Sequence, residues 1–337
     1  MKIKDIGGEF GLIERIKPLC FIREENIIKG IGDDCAVCKI DEKRAALFTT
    51  DMLVENIHFL RKSITPFQLG YKTMAVNLSD IASMGGNPTD AFLSMAVPED
   101  ITVEYIDELY KGMMFLGEKY KVNILGGDTT NAKQDIVLNI ALRGEITQDR
   151  IMYRDQAEKG DRIYVNGYLG DSAGGLWAIL KESVLDEKVK NYLIKSHHMP
   201  QVYIKEGIIL SESGMVHSCI DISDGISSDL GHICKQSRCG AILYEEKIPL
   251  SKELQSFGDI TGEIPLDLAL YGGEDYRLLF TVDEQFPEKL EEEYRKEFGS
   301  RIFCVGEIVE GNEIVLKKKG AKEKILKPSG WDHFRSE

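Results

Sequence analysis

Residues 30–37 read GIGDDCAV and set two adjacent carboxylates, Asp33 and Asp34, between glycines and an apolar run. Neighbouring like charges repel, so a chain entering a strand gains nothing from them unless something positive lies close by. The pattern recurs in TTDMLV (49–54), NLSD (77–80), GGDTT (126–130), DISDG (221–225) and GGED (272–275). Each places carboxylate among small or hydroxyl residues beside an apolar segment, at what reads as a junction between regular elements, where a scaffold presents function. Gathered without a cation, such carboxylates would be forced to share protons. Hard oxygen donors with few histidines nearby suit Mg²⁺ better than zinc. Several Mg²⁺ ions would turn an acidic pocket into a site for polyphosphate.

Taken singly, each cluster has a plainer reading. Thr73, Asn77 and Asp80 recur at helical spacing and form a polar stripe, which on a surface helix would be a solvated face. Here Ala75, Val76, Ala82 and Met84 flank the stripe. A helix buried on most sides would then require Asp80 to be paired or to hold a metal. NILGGDTT reads as a strand followed by a tight turn at GGDTT. Its glycines would let backbone approach an anion while Asp128 holds a cation, or Asp128 could simply cap the turn. Asp224 could likewise be only the N-cap of the helix that follows. The spacing is not that of an EF-hand.

The elements that must carry these residues alternate between strand and helix. Periodicity predicts helices over 10–19, 66–84, 102–121, 186–196, 202–214 and 285–299, with others over DSAGGLWAILKE and GISSDLGHICKQS. It predicts strands over 35–40, 45–50, 91–97 and 136–146, then RIYVNG, HSCIDIS, AILYEE, YRLLFTV and IFCVGEIV. The polar stretch 147–161 reads as a seam between a domain over 1–148 and another over 149–337. At 337 residues two domains are the default expectation, and the fold class is α/β (α+β).

Forty-two basic against 56 acidic residues leave a net charge of −14, which argues against a nucleic-acid partner. MKIKDIGGEF has no apolar leader, and no apolar run is long enough to span a bilayer, so no membrane partner is expected. Seven scattered cysteines then suggest free thiols in a cytoplasmic protein. Cys35 and Cys38 have zinc-pair spacing, but no second pair stands near; Cys234 and Cys239 lie far along the chain. No P-loop, kinase glycine loop or G-x-S-x-G elbow occurs, and GYLGDSAGG lacks dinucleotide spacing. His197 and His198 read as a helix terminus rather than a metal site, and 317–319 as a solvated hairpin tip.

Seven motifs carry a resemblance to a known family: GIGDDCAV, TTDMLVENIHF, NLSDIASMGG, GGDTT, GDSAGG, DISDGISSDLGHI and GGEDYRLLFT. From GEFGLI (8–13) to GWDHF (330–334) the chain resembles the thiamine-monophosphate kinases, within the aminoimidazole-ribotide synthetase-like superfamily of ATP-binding enzymes. The resemblance implies an N-terminal domain whose strands form a barrel-like sheet with a second subunit, hence a homodimer, and a C-terminal α/β domain of superfamily type. It implies ATP, several Mg²⁺ ions, and in-line transfer of the γ-phosphoryl group to thiamine monophosphate. By motif position it makes Asp34, Thr49, Thr50, Asp51, Asp80, Asp128, Asp221 and Asp224 metal ligands, with Asp51, Asp128 and Asp224 central to catalysis. Tyr110, Gly127, Asp128, Arg154 and Ser223 would contact ATP, and His58, Glu274 and Trp331 the acceptor. The family motif commonly reads GGEDYE, whereas Arg277 follows the tyrosine here. Alternatives are a superfamily ligase with another acceptor, a Mg²⁺-dependent phosphohydrolase, and a nucleotide-binding protein without transfer.

Overall fold

The computed structural model describes residues 1–181, 185–320, 323–327 and 330. Along the chain run α1 (Gly8–Ile16), β1 (Ile27–Lys29), β2 (Ala36–Lys39), β3 (Arg44–Val54), α2 (Pro66–Ser83), β4 (Asn87–Val97), α3 (Val103–Tyr120), β5 (Asn123–Asn131) and β6 (Val137–Thr147). The second half contains β7 (Arg162–Val165), α4 (Asp171–Leu180), α5 (Glu187–His198), α6 (Ile204–Ser213), β8 (Val216–Asp221), α7 (Ile226–Ser237) and β9 (Gly240–Tyr244). After these come α8 (Lys252–Thr261), α9 (Pro265–Tyr271), β10 (Leu278–Val282), α10 (Pro287–Phe298), β11 (Phe303–Val309), β12 (Ile314–Lys317) and β13 (Lys324–Leu326).

The strands form two sheets, ordered β1-β2-β3-β6-β4-β5 and β13-β12-β9-β11-β7-β10-β8. Pairing is antiparallel except for β4 with β5 and β12 with β9. The first sheet is open in the single chain, with β1 and β5 at its edges. Its inner face carries Leu47, Leu53, Leu93, Leu138, Ile140 and Leu142, all buried, and packs on α2, against which α3 lies in the same core. The outer face leaves Phe48, Met52, Phe92 and Leu125 between 43 % and 60 % exposed.

Helix α2 is the hinge of the architecture. TPFQ starts it as a capping box: Thr65 Oγ1 accepts from Gln68 N at 3.2 Å, and Gln68 Oε1 accepts from Thr65 N at 3.0 Å. Leu69, Met74, Leu78 and Ile81 are fully buried, each contributing about 1.5–3 kcal/mol. That gain offsets the cost of burying the polar stripe, which is inside: Thr73 and Asn77 have no exposed surface. One side of α2 faces β3 and β6, and another meets α6 and β8 of the second half. A single core therefore runs from the first sheet through α2 to one face of the second, where Tyr164, Cys219 and Phe280 join it. Alternate residues Ile163, Ile220 and Leu279 face the opposite core under α7 and α9.

The sequence expectations need amendment in several places. The first helix ends at Ile16 and passes into a 3₁₀ turn, Lys17–Leu19. Strand β3 runs to Val54, so Thr49, Thr50 and Asp51 stand within a strand and not at a junction. GGDTT is no turn either, because β5 continues to Asn131. Gly127 explains the persistence of that strand: its φ is +157°, and a Cβ there would lie 1.6 Å from the Leu93 carbonyl oxygen of β4. The seam at 147–161 is packed, with Ile151 and Met152 buried and Tyr153 bridged to Ser218. Helices α8 and α9 and strands β1, β12 and β13 were not legible as elements.

Gly127→Ala should therefore lower stability by at least about 2 kcal/mol through overlap with β4, measured by urea denaturation. An unchanged midpoint would mean that the glycine is not required by strand packing.

Candidate active site

Where the two halves meet over α2, carboxylates converge from four elements. Asp34 comes from the loop before β2, Asp51 from the inner face of β3, Asp80 from α2, and Asp221 from the end of β8. Ligand oxygens of Asp34, Asp80 and Asp221 lie within 4.8 Å of one another. Oxygens around one Mg²⁺ stand roughly 3–4 Å apart, so a small contraction would close these three on an ion. The donors are all hard oxygen, which fits Mg²⁺ in kind as well as spacing.

Small hydroxyl groups orient the acids. Ser79 Oγ donates to Asp221 Oδ2 at 2.5 Å, and Ser83 Oγ donates to Asp34 Oδ2 at 2.5 Å. Thr49 Oγ1 donates to Asp80 Oδ2. Asn77 Oδ1 accepts from Asp51 N at 3.0 Å, tying the strand to the helix. Arg154, from the seam, forms an ion pair with Asp34 and lies 3.7 Å from Asp33 Oδ1, while Lys29 lies 3.6 Å from Asp33 Oδ2. These two cations do not neutralise the whole cluster. Burial, then the charges of Asp221 and Glu9, push Asp51 up to about 7. Burial, then Asp51 and Asp221, hold Asp80 well above the carboxylate range. Burial raises Asp33 to about 6 against the pull of Arg154 and Lys29, and raises Asp221 against Ser79 and Arg154.

Beside the cluster, the DISDG and GGED loops are stitched together. Glu274 N donates to Ser223 O at 2.7 Å, Tyr276 N to Ile222 O at 2.8 Å, and Ile222 N to Arg277 O at 2.8 Å. A Cβ on Gly273 would lie 2.3 Å from Ser223 O, so only glycine permits this approach. Glu274 and Tyr276 take φ of +64° and +50°, costing about 1–3 kcal/mol each. Asp224 does not cap α7, whose N-cap is Gly225 without a side-chain bond; its amide donates to buried Asp229 Oδ2 at 3.2 Å.

The other expected positions divide. Thr50 and Asp128 lie on the outer face of the first sheet, with Asn139 donating to Thr50 Oγ1 at 2.9 Å. Gly127 neighbours Asp128 on the free edge strand, and Tyr110 is half-buried against the first core on α3. His58 Nδ1 accepts from Val54 N at 3.0 Å, and its ring is among the charges felt by Glu274. Trp331 lies outside the described residues. Arg277 turns toward the Tyr168 carbonyl, 3.2 Å away, and the Tyr203 ring. GDSAGG proves to be the start of α4, where Asp275 accepts from Gly170 N and Ser172 N at 2.6 and 3.2 Å. A protein carboxylate thus occupies the helix N-terminus that could otherwise have received phosphate. His197 and His198 do end α5, yet both are buried beside Glu274. Among the residues not foreseen are Ser79, Ser83, Asp229 and Lys72; the serines flank Asp80 at four-residue spacing, a signal available in the sequence.

Residues 32–146 match the AIR synthase related protein, N-terminal domain, and residues 158–319 match its C-terminal domain. The thiamine-monophosphate kinase of Buchnera aphidicola subsp. Schizaphis graminum is 40 % identical over 328 residues, 97 % of this chain and 99 % of that one. That of Aquifex aeolicus is 36 % identical over 338 residues, covering 99 % and 100 %. The chain belongs to the thiamine-monophosphate kinase family. A solved structure described as AaThiL complexed with AMPPCP and TMP has a TM-score of 0.86 and 34 % identity, with 99 % of both chains covered. A hydrogenase maturation protein HypE in complex with ATP, at 18 % identity and a TM-score of 0.67 over 93 % of both chains, shares the fold. The two mixed α/β units described above are those of the thiamine-monophosphate kinase family.

Folded, Asp51 sits near 7 against an ordinary 3.8. The metal-free chain therefore binds more protons folded than unfolded across that window, and its stability should fall as pH rises from about 4 to 7. At pH 7.5, Asp80→Asn should stabilise the metal-free protein by about 1–2 kcal/mol while removing most of the stabilisation that Mg²⁺ confers on the wild type. Thermal melts with EDTA or Mg²⁺ check both signs; a variant less stable than wild type without metal would contradict them.

Proposed function

We propose that the chain transfers the γ-phosphoryl group of ATP to the phosphate of thiamine monophosphate, yielding thiamine diphosphate and ADP. The observation that carries the chemistry is the buried carboxylate cluster shared by both halves, beside the strained GGED loop. The acceptor follows from full-length membership of the family and from likeness to AaThiL bound to AMPPCP and TMP.

Asp34, Thr49, Thr50, Asp51, Asp80, Asp128, Asp221 and Asp224 would hold Mg²⁺ ions, which when bound screen the phosphate charges and polarise the transferring group. Gly127, Asp128, Arg154 and Ser223 serve ATP, with Tyr110 as a further contact; His58 and Glu274 line the acceptor site, to which motif position also assigns Trp331. A phosphate monoester has a second pKa near ~6 and is largely dianionic at neutral pH, so its oxygen attacks without a general base. That oxygen bonds to the γ-phosphorus as the bond to the β–γ bridging oxygen breaks, and ADP departs. Arg154 presents a guanidinium suited to a phosphate, released from Asp34 when the carboxylates are otherwise neutralised.

The active unit is a homodimer. β5 is separated from β3 by β6 and β4, so Asp128 and Asp51 of one chain stand about 14 Å apart. They also face opposite sides of the sheet. One ion cannot bridge that span, and Asp128 reaches the cluster from a second copy. The exposed Phe48, Met52, Phe92 and Leu125 supply the apolar surface for such a contact. We place the domain division at 148/149. No described helix is long and apolar enough to cross a membrane. The seven free thiols support a cytoplasmic setting.

A ³¹P NMR time course with ATP, Mg²⁺ and thiamine monophosphate should show diphosphate resonances rising with ADP and abolished by EDTA. Free phosphate without thiamine diphosphate would contradict the transfer. Asp51→Asn and Asp128→Asn should each be nearly inactive alone. Dissociated and reassociated together, they should recover about a quarter of wild-type activity, since half the dimers are hybrids with one intact site. A mixture that stays inactive despite forming hybrids would refute the shared site.

A further inference from the structure

Lys72 lies in the first half of α2, a full helical stretch before Asp80, and has no exposed surface at all. A lysine is almost never fully buried unless its charge is matched. Its Nζ lies 2.8 Å from Glu274 Oε1, and His197 Nδ1 lies 3.2 Å from Oε2 and 3.0 Å from Ser172 Oγ. Both partners are buried, whereas 24 % of the Glu274 side chain stays exposed. Lys72 and His197 thus stand against the two carboxylate oxygens at ion-pair distance, and part of the group is left open. The strained backbone at Glu274 is held in the same direction by the bond from its amide to Ser223 O.

We infer that Lys72, with His197, is a positioning residue that holds Glu274 ionised and aimed so that its open edge receives the cationic heteroaromatic part of the acceptor. This rests on the reading that Glu274 lines the acceptor site. The thiazolium ring of thiamine monophosphate carries a fixed positive charge, and a neutral carboxyl would lose that attraction. Charged and titratable groups face Glu274 from every side: Lys72 on α2, His197 and His198 on α5, His58 after β3, and Asp275 and Tyr276 on its own loop. Burial pushes the Glu274 carboxyl up, but the charge of Lys72 outweighs it and holds it below the ordinary glutamate range. Burial, then Lys72, pulls His197 down to about 3, so it stays neutral beside the ion pair. Lys72 is therefore the one full positive charge directly against this carboxylate among the described residues.

Lys72→Met should raise the KM for thiamine monophosphate by roughly 10–100-fold, as expected when a buried carboxylate loses its partner, while the KM for ATP stays within about threefold. Without Lys72 burial raises Glu274, so the variant's acceptor KM should fall back toward wild type as pH rises to about 9; a merely structural defect would not recover. Glu274→Gln tests the underlying reading separately: an unchanged acceptor KM there would remove Glu274 from the site and the inference with it. An impaired Glu274→Gln beside an unimpaired Lys72→Met would overturn the inference alone. Should Lys72→Met fail to fold, the double variant is compared with Glu274→Gln. Equal acceptor KM values support action through Glu274, and a further tenfold loss overturns it.

Discussion

The constraint on which the structure depends is the cost of collecting carboxylates where water is scarce. Asp34, Asp51, Asp80 and Asp221 meet at the contact of two domains, where Arg154 pairs with Asp34 and Lys29 stands against neighbouring Asp33. Much else follows from keeping that arrangement open for ions. Ser79, Ser83 and Thr49 spend their hydroxyl protons on the acids and add no charge. The apolar residues of α2 supply the burial energy that lets a helix carry Thr73 and Asn77 inside and Asp80 partly buried. The single core shared by the sheets keeps acids from both halves in register.

The same helix carries two opposite electrostatic tasks. At Asp80 it offers excess negative charge with too little compensation; at Lys72 it offers a buried positive charge matched to Glu274. The two lie more than a turn apart along α2, and buried Tyr276 feels the charges of Glu274, Asp51, Asp221 and Asp224. Strain at Glu274 and Tyr276 is located at this junction and nowhere else in the GGEDY loop.

Much of this was legible in the sequence, for identifiable reasons. Asp80 could be placed because helical periodicity aligned it with Thr73 and Asn77 while apolar residues closed in from both sides. Most strands and most helices followed from periodicity and breaker residues. What could not be read was sheet order: β6 inserts between β3 and β4 through pairings distant along the chain, and this separates Asp128 from Asp51. Nor did the sequence reveal that Gly127 is demanded by Leu93, or that Asp275 fills the N-terminus of α4. Lys72 was invisible because a lysine on a helix ordinarily points to solvent. The seven-residue α9 was missed because it is too brief for periodicity to stand out.

The most direct measurement is a crystal grown with Mn²⁺ and a non-hydrolysable ATP analogue, with anomalous difference maps recorded at the manganese edge. Peaks are expected among Asp34, Asp51, Asp80 and Asp221, with Asp128 entering the coordination from the second copy. A nucleotide complex whose ions avoid the cluster, or in which Asp128 remains on the outer face away from every ion, would contradict that arrangement.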